Sequence, residues 1–348
     1  MQIGIDSFVS TSLPPDEWGV SGDAQRVCEL LEEIVLADEA GLDVYGIGEH
    51  HRPEYIASSP ATLLAAAAAR TRRIRLVSAV NVLGSDDPIR LFQQFAAVDL
   101  ISNGRAEIIV GRGSFIESYP LFGIDLRDYD MLFAEKLSLL LAARESAEVR
   151  WSGQHRPPLT GQGVYPRPVQ SPLPVRIGVG GTPESFARAG ALGLPLVVAI
   201  IGGEARRFRR LVDLYRESGR RAGHSDDKLT VAVHSIGYVA DTTEQAAEEF
   251  WPYYNDSFSR IGRERGWPPI TRAQYDAVRG EAGALLVGSP EAVAEKILRE
   301  SEELGGISRV TIGVNGGHLL PHEKVMRCIE LIGARVVPLL RRHGPDAA

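Results

Sequence analysis

The sequence predicts an α/β fold of the (β/α)8, or TIM barrel, class with insertions after the fourth and seventh strands. Segments with strand character alternate with segments whose apolar residues recur at helical spacing, which is typical of a parallel sheet covered by helices. The chain of 348 residues suits one large domain over 1–348, and its apolar share of 44% is enough for a large core. An open, doubly wound sheet is the alternative, but the sequence shows no switch to a second domain.

Four strand–helix units follow one another in the first half of the chain. Gly41 and the pair Asn103-Gly104 are typical helix stops, and Pro60 is typical of a helix start. The third strand is β-branched and nearly all apolar, as expected for a strand covered on both faces. The predicted strands are 2–8, 43–50, 74–83 and 106–111, and the helices that follow them are 24–41, 60–71, 88–104 and 128–143.

The alternation pauses after the fourth helix, where residues 148–172 are rich in Gly, Pro and Gln and look like an excursion from the core. Residues 262–282 are predicted to be an irregular insertion, and 284–305 a short strand with an extra helix. The remaining strands are predicted at 174–181, 194–201, 229–240 and 309–314, and their helices at 183–193, 204–223, 243–261 and 322–342.

Charge and composition exclude several classes of protein. The net charge of −7 argues against nucleic acid or an anionic membrane as the main partner. No apolar run reaches the length of a membrane span, and the N-terminus does not resemble a signal peptide. Cys28 and Cys328 are predicted to be buried thiols in a reducing compartment. The sequence therefore predicts a cytoplasmic protein.

Candidate functional residues are sought at the carboxyl ends of the strands, because chemistry in this fold sits on the loops that follow them. The predicted ends carry Asp6 and Ser7, Glu49, His50 and His51, Asn81, Arg112, Thr182, His234 and Tyr238, and Asn315.

Two of these strand ends predict an anion site. The turn 178–182 joins a strand to a helix start, where glycines allow close approach of the backbone and free N–H groups favour an anion. Arg112 lies between two glycines at the end of the neighbouring strand, as a phosphate-binding arginine would. Glycine turns within 286–293 and 313–321 provide a competing position near the last strands, and spacing alone does not decide between the two regions.

Two adjacent histidines follow the second strand. Neighbouring residues of a regular strand point to opposite faces, so His50 and His51 are not expected to share a metal ion. A metal-dependent hydrolase is the alternative, with Asp6 and His234 as its remaining ligands. We predict no metal site, and assign proton handling or hydrogen bonding to His50, since histidine titrates near neutral pH. Structural roles are predicted for His51 and Glu49.

Several stretches together resemble the bacterial luciferase-like (LLM class) family of flavin-dependent monooxygenases. They are YGIGEHHRPEY, IRLVSAVNVLGSDDPIRLFQQFAAVDLISNGRAEIIVGRGSF and GGTPESFARAGALGLP. The resemblance implies a luciferase-like (β/α)8 barrel and reduced FMN supplied by a separate, transient flavin reductase. It also implies dioxygen as the oxidant, and a small apolar organic substrate of the alkanal type, oxidised through a flavin peroxide.

The resemblance also implies roles for individual residues. His50 maps to the catalytic histidine, Arg112 to the phosphate-binding arginine and Thr182 to the hydroxyl of the phosphate turn. A non-prolyl cis peptide bond under the flavin ring maps to about Ala79-Val80. A homodimer is expected through the helices 60–71 and 88–103. The implied cofactor-binding residues are Ala79, Val80, Asn81, Arg112, Gly178, Val179, Gly180, Gly181 and Thr182.

The sequence departs from the family pattern at two positions. Gly111 replaces the reactive cysteine of the luciferases, and Asp130 replaces a second arginine. The alternatives within this fold are a deazaflavin-dependent dehydrogenase, which transfers hydride without dioxygen, and a flavin-binding protein without turnover.

Overall fold

A computed structural model describes residues 1–14, 17 and 19–343. Within that part of the chain, eight parallel strands close into a barrel in the order β1, β2, β3, β5, β8, β9, β10, β12 and back to β1. This confirms the predicted TIM barrel. The strands are β1 (Gln2–Ser7), β2 (Val44–Ile47), β3 (Arg75–Ser78), β4 (Asn81–Val82), β5 (Ala106–Gly111), β6 (Glu148–Trp151), β7 (Leu159–Gly163), β8 (Val175–Val179), β9 (Leu196–Ala199), β10 (Val231–Val239), β11 (Leu286–Gly288) and β12 (Arg309–Gly313).

Helices surround the barrel, and turn chemistry sets several of their ends. The α3 helix begins after Asp87, whose carboxylate accepts hydrogen bonds from the N–H groups of Ile89 and Arg90, and ends at left-handed Asn103. The helices are α1 (Val20–Glu39), α2 (Pro60–Ala68), α3 (Pro88–Ser102), α4 (Ser118–Leu121), α5 (Tyr129–Glu145), α6 (Pro183–Ala191), α7 (Arg209–Arg221), α8 (Thr243–Arg265), α9 (Arg272–Arg279), α10 (Pro290–Glu303), α11 (His322–Leu331) and α12 (Val337–His343). Short 3-10 turns cover Leu126–Asp128 and Ala205–Phe208, and a π-helical turn covers Ile332–Val336.

A buried ionic group fills the barrel at the amino ends of its strands. Glu107 on β5 accepts hydrogen bonds from Arg309 Nη2 at 3.1 Å and from Arg176 Nε at 2.9 Å. Arg309 Nε also donates to Gln2 Oε1 at 2.9 Å. Burial opposes ionisation of Glu107, but the two guanidinium groups outweigh it and lower the pKa of this carboxyl to about 2.

The barrel interior becomes apolar above this ionic group and then nearly empty of side chains at the mouth. The apolar layer is a separate cluster of Val44, Val77, Ile109, Val197 and Ala232. Side chains point inward again two residues further along the strands. They form the next layer, which has only two side chains larger than alanine. This mouth layer consists of Asp6, Gly46, Ala79, Gly111, Gly178, Ala199, His234 and Gly313.

The structure corrects three predictions about the fold and adds detail to a fourth. The third strand is not continuous, because it is interrupted at Ala79-Val80. Residues 148–172 lie outside the barrel sheet, as predicted, and contain the antiparallel hairpin of β6 and β7. The segment 262–282, predicted irregular, contains the end of α8 and all of α9. Cys28 is exposed on the outer face of α1, whereas Cys328 is buried as predicted. The short strand β11 and helix α10 occur where they were expected.

In the described part of the chain, no helix is both long and apolar enough to cross a bilayer.

Candidate cofactor and active site

The break in the third strand brings three predicted cofactor residues together. The peptide bond between Ala79 and Val80 is cis, as the resemblance implies. The side chain of Val80 lies against the backbone of Gly111 and of Gly178. A Cβ atom added at either glycine would be 2.7 Å from a methyl group of Val80. The ends of β3, β5 and β8 therefore form one continuous surface at the barrel mouth.

Arg112 and Thr182 meet at the outer end of this surface. Arg112 Nη2 donates to Thr182 Oγ1 at 3.0 Å, and the guanidinium lies 5.4 Å from the ring centre of Tyr129. Thr182 precedes α6, and its hydroxyl makes no capping bond to the helix. α6 begins with Pro183, which has no N–H group, and the Ser185 N–H donates to the Thr182 carbonyl at 3.0 Å. The Glu184 N–H in the first turn and the guanidinium of Arg112 are therefore the groups available to an anion.

The backbone of the turn 178–182 borders open space. A side-chain atom added at Gly180 would meet no atom within 4 Å, and Gly181 has a φ of +133°, which strongly favours glycine. Asp130, the residue that replaces a family arginine, forms an ion pair with Arg112 Nη1. The carboxylate thus occupies one side of the guanidinium, and the other side faces Thr182.

Glu49 ties the loop after β2 to the interrupted strand. Its carboxylate accepts hydrogen bonds of 2.9 Å from Asn81 Nδ2, from the Val82 N–H and from His51 Nε2. This agrees with the structural roles predicted for Glu49 and His51. The second polar atom of the Asn81 amide, Oδ1, is buried and has no partner among the described residues. That oxygen therefore has a hydrogen-bonding capacity that no described residue uses.

His50 lies in an aromatic pocket. Its ring centre is 4.5 Å from that of Phe8, 4.6 Å from that of Tyr55 and 5.2 Å from that of Phe115, and the imidazole stays partly exposed. Burial lowers the pKa of His50 to about 3, and the charge of the nearby Arg52 adds to the effect. The expectation of a histidine titrating near neutral pH is therefore wrong, and His50 is a neutral imidazole.

His50 and His51 have different surroundings, as predicted, but strand alternation is the wrong reason for the difference. β2 ends at Ile47, so His50 and His51 lie in the following loop and strand alternation does not apply. The ring of His51 instead packs edge-on against Phe122 at 5.2 Å and bonds to Glu49. Among the described residues, no group of three or more His, Cys, Asp or Glu side chains has a geometry that would hold a metal ion.

Phe115, one wall of the His50 pocket, is fixed by arginines. The guanidinium of Arg52 lies 4.8 Å from the centre of the Phe115 ring, and that of Arg265 lies 5.5 Å from it. Arg52 in turn forms ion pairs with three carboxylates. These are Glu54 in its own loop, Glu117 in the loop after β5 and Glu264 near the end of α8.

With this geometry in hand, comparison with known proteins gives the family. Residues 8–307 match the family model described as luciferase-like monooxygenase. The chain belongs to the luciferase-like monooxygenase family.

Two relatives and one solved structure illustrate what the chain resembles. A 4-hydroxyprotoasukamycin monooxygenase from Streptomyces nodosus subsp. asukaensis is 27% identical over 330 residues, which cover 88% of this chain and 85% of that protein. An F420-dependent glucose-6-phosphate dehydrogenase from Amycolatopsis mediterranei is 26% identical over 260 residues, covering 70% of each chain. The oxygenating constituent of 3,6-diketocamphane monooxygenase from Pseudomonas putida, solved in complex with FMN, has the same fold. Its TM-score is 0.77 at 20% identity, with 98% of each chain covered.

Membership of the luciferase-like family and the similarity to monooxygenases support an oxidoreductase. Beside the His50 pocket, the chain also has a small cleft that Tyr55 helps to line. Tyr253 lines this cleft, whereas Tyr254 and Trp251 pack against Tyr275. The lining residues are Ser10, Thr11, Glu54, Tyr55, Tyr253, Asp256, Ser257, Arg260, Ile261, Gly317 and His318. Because this lining is largely polar and charged, the aromatic pocket suits an apolar ligand better.

The sequence analysis of this family member missed the neighbours that define its site. Phe8, Tyr55 and Phe115 come from three different loops, and no local motif marks them as one pocket. Asp6 and His234 were considered only as metal ligands, but they bond to each other. His322, the first residue of α11, bonds to Glu32 and Glu33 on α1.

Proposed function

We propose that this protein is an FMN-dependent monooxygenase that oxidises a small apolar organic substrate of the alkanal type. The observation that carries the proposal is the contact of Arg112 with Thr182, 3.0 Å apart at the start of α6. A guanidinium and a hydroxyl in contact at the start of a helix, where the Glu184 N–H lies in the first turn, match the dianionic phosphate of FMN. The competing turn at Ser289 is less suitable, because its N–H already donates to Thr243 Oγ1 and its hydroxyl caps α10.

The mouth layer supports a planar cofactor. Its glycines and alanines remove side chains from the region between Val80 and the opposite strands, so a flat ring can lie on backbone. Arg112, Thr182 and the turn Gly178 to Gly181 would hold the phosphate end. Ala79, Val80 and Asn81 would contact the ring, with the unpartnered Asn81 Oδ1 as an acceptor.

When bound, reduced FMN supplies two electrons and two protons, so that one atom of dioxygen enters the substrate and the other leaves as water. The neutral imidazole of His50 would hold a hydrogen bond beside the ring without adding a charge. Phe8, Tyr55 and Phe115 would exclude water and present an apolar surface to the substrate. Reduced FMN would come from a separate, transiently bound reductase.

Replacement of Arg112 by alanine tests the cofactor site. Loss of a charge-assisted contact costs about 1.5–3 kcal/mol, so Arg112→Ala should weaken FMN binding by about one to two orders of magnitude. Asp130→Asn should tighten binding, because it releases the guanidinium from its ion pair. Binding is measured by quenching of FMN fluorescence. Arg127→Ala is the matched control, since it removes an equal charge from an exposed arginine. Equal affinities for wild type and Arg112→Ala would contradict the assignment.

The F420-dependent relative supports a second candidate, a deazaflavin-dependent dehydrogenase. Titration of the purified protein with FMN and with the deazaflavin, followed by absorbance, separates the two. The proposed monooxygenase should bind FMN more tightly and, when reduced, should consume dioxygen. Tight binding of the deazaflavin alone would favour hydride transfer, and FMN binding without oxygen-dependent product would indicate a protein that binds flavin without turnover.

We also propose a homodimer formed through α2 and α3. Leu100 and Ile101 on α3 are 47% and 52% exposed, which leaves two large apolar side chains on that helix for a second copy. Sedimentation at micromolar concentration should show a dimer, and Ile101→Glu should shift it toward monomer. Val20→Glu is the control, since Val20 is exposed on α1. A monomer for the wild-type protein would exclude this interface.

A further inference from the structure

Asp6 and His234 form a buried pair across the barrel mouth. His234 Nδ1 lies 2.7 Å from Asp6 Oδ2. His234 is 9% exposed and Asp6 is 2% exposed. Asp6 stands on β1 and His234 on β10, and β12 runs between these strands. The carboxylate and the imidazole therefore reach each other over β12, inside the barrel.

Gly313 makes this contact possible. A Cβ atom there would be 2.9 Å from His234 Cε1 and 3.3 Å from Asp6 Oδ1. On the other side, a Cβ atom at Gly46 would be 2.8 Å from the Cβ of Asp6. Glycines at positions 46 and 313 therefore leave room in the mouth layer for its two large side chains, Asp6 and His234.

The other nitrogen of the histidine indicates a ligand. His234 Nε2 is fully buried and has no hydrogen-bond partner within the described residues. A buried polar atom without a partner costs free energy, so such atoms are rare unless a ligand or water meets them. The Asp6 carboxylate requires a proton on Nδ1, and this fixes the ring orientation and leaves Nε2 directed at the ligand. Burial opposes protonation of His234, but Asp6 outweighs it and raises the histidine pKa.

We propose that His234, held by Asp6, donates a hydrogen bond from Nε2 to the ring of the bound flavin. The inference rests on the proposed function, because it takes FMN as the cofactor. His234 belongs to the same interior layer as Gly111 and Gly178, the glycines next to Val80 on which the ring would lie. A planar ring in this layer would face the imidazole, whereas a substrate would enter from outside it. An imidazolium there would stabilise the negative charge that reduced flavin carries more than it would the neutral oxidised ring.

Nuclear magnetic resonance of the whole protein with isotope-labelled histidine tests the contact without turnover. Oxidised FMN should shift the ring signals of His234, identified by their loss in His234→Gln. It should leave unchanged those of His224, which bonds to the Ala191 carbonyl at the end of α6. The nitrogen shifts also report protonation directly. Two protonated nitrogens in the FMN complex are expected, and an unprotonated Nε2 would overturn the donor role.

The two redox states of FMN provide a second readout. His234→Gln should weaken binding of reduced FMN by about tenfold or more relative to oxidised FMN, because only the reduced ring carries a negative charge that attracts the imidazolium. The potential of bound FMN should therefore fall, and Asp6→Asn should change it in the same direction. His224→Gln is the matched control. An equal ratio of affinities in wild type and His234→Gln would overturn the proposal.

The outcomes separate this inference from the function on which it rests. If FMN does not bind the wild-type protein, the proposed function fails and this inference with it. If FMN binds normally but the His234 signals stay unchanged, only the inference fails. Should His234→Gln or Asp6→Asn not fold, as circular dichroism would show, the measurement on the wild-type protein still decides.

Discussion

His50→Ala should reduce turnover by about a hundredfold or more while leaving FMN affinity nearly intact. The phosphate contacts at Arg112 and Thr182 come from other strands, so cofactor binding does not depend on the imidazole. The loss would affect the reaction itself, because the ring lies among Phe8, Tyr55 and Phe115 and is partly exposed. Stopped-flow absorbance of the flavin with product analysis, starting from reduced FMN and dioxygen, measures the effect.

His51→Ala is the natural control for this prediction. It removes the hydrogen bond to Glu49 and the contact with Phe122, so stability should fall more than turnover. Since the pKa of His50 is about 3, the part of the rate that depends on this residue should not vary between pH 5 and 8. Full activity of His50→Ala combined with an inactive His51→Ala would reverse the assignment.

Glu107→Gln should lower the free energy of unfolding by about 3–5 kcal/mol, the cost of removing one partner from a buried ion pair. Arg309 and Arg176 would remain inside the barrel with no carboxylate to balance them. Chemical denaturation measures the change. Glu217→Gln is the matched control, because its pair with Arg221 is exposed and should contribute far less. A loss no larger than that of the control would show that Glu107 does not stabilise the barrel.

The same carboxyl predicts a dependence of stability on pH. Its pKa is lowered to about 2 in the folded protein from an ordinary value of 4.5, so its contribution is fully present above the ordinary value. Stability should therefore decline as the pH falls from about 4.5 toward 2, and this part of the decline should be missing in Glu107→Gln.

Much of the fold could be predicted because each strand–helix unit carries its own local pattern. The break at Ala79-Val80 could not be read from periodicity, since an apolar pair continues the strand pattern and only the family resemblance marked it. Helix α9 was missed, although a signal was present. Thr271 and Gln274 form a capping box, and their spacing is visible in the sequence as Thr-x-x-Gln.

Part of the candidate site could likewise be predicted from the sequence, and part could not. The meeting of Arg112 and Thr182 followed from two adjacent strand ends, and the structure places the side chains 3.0 Å apart. The state of His50 could not be predicted, because its pKa depends on burial by loops distant in sequence and on the charge of Arg52. Asp6 and His234 are 228 positions apart, and no motif around either residue predicts their contact.

The triple ion pairing of Arg52 has a consequence for efforts to change the substrate by exchanging loops. Arg52 connects the loop after β2 with Glu117 and Glu264, which lie in two other segments of the same face. A chimaera that takes one of these segments from a relative removes at least one carboxylate partner of Arg52. The arginine would then hold Phe115 less firmly against His50. The three segments should therefore be inherited as one block, and libraries that shuffle them independently should yield mostly inactive recombinants.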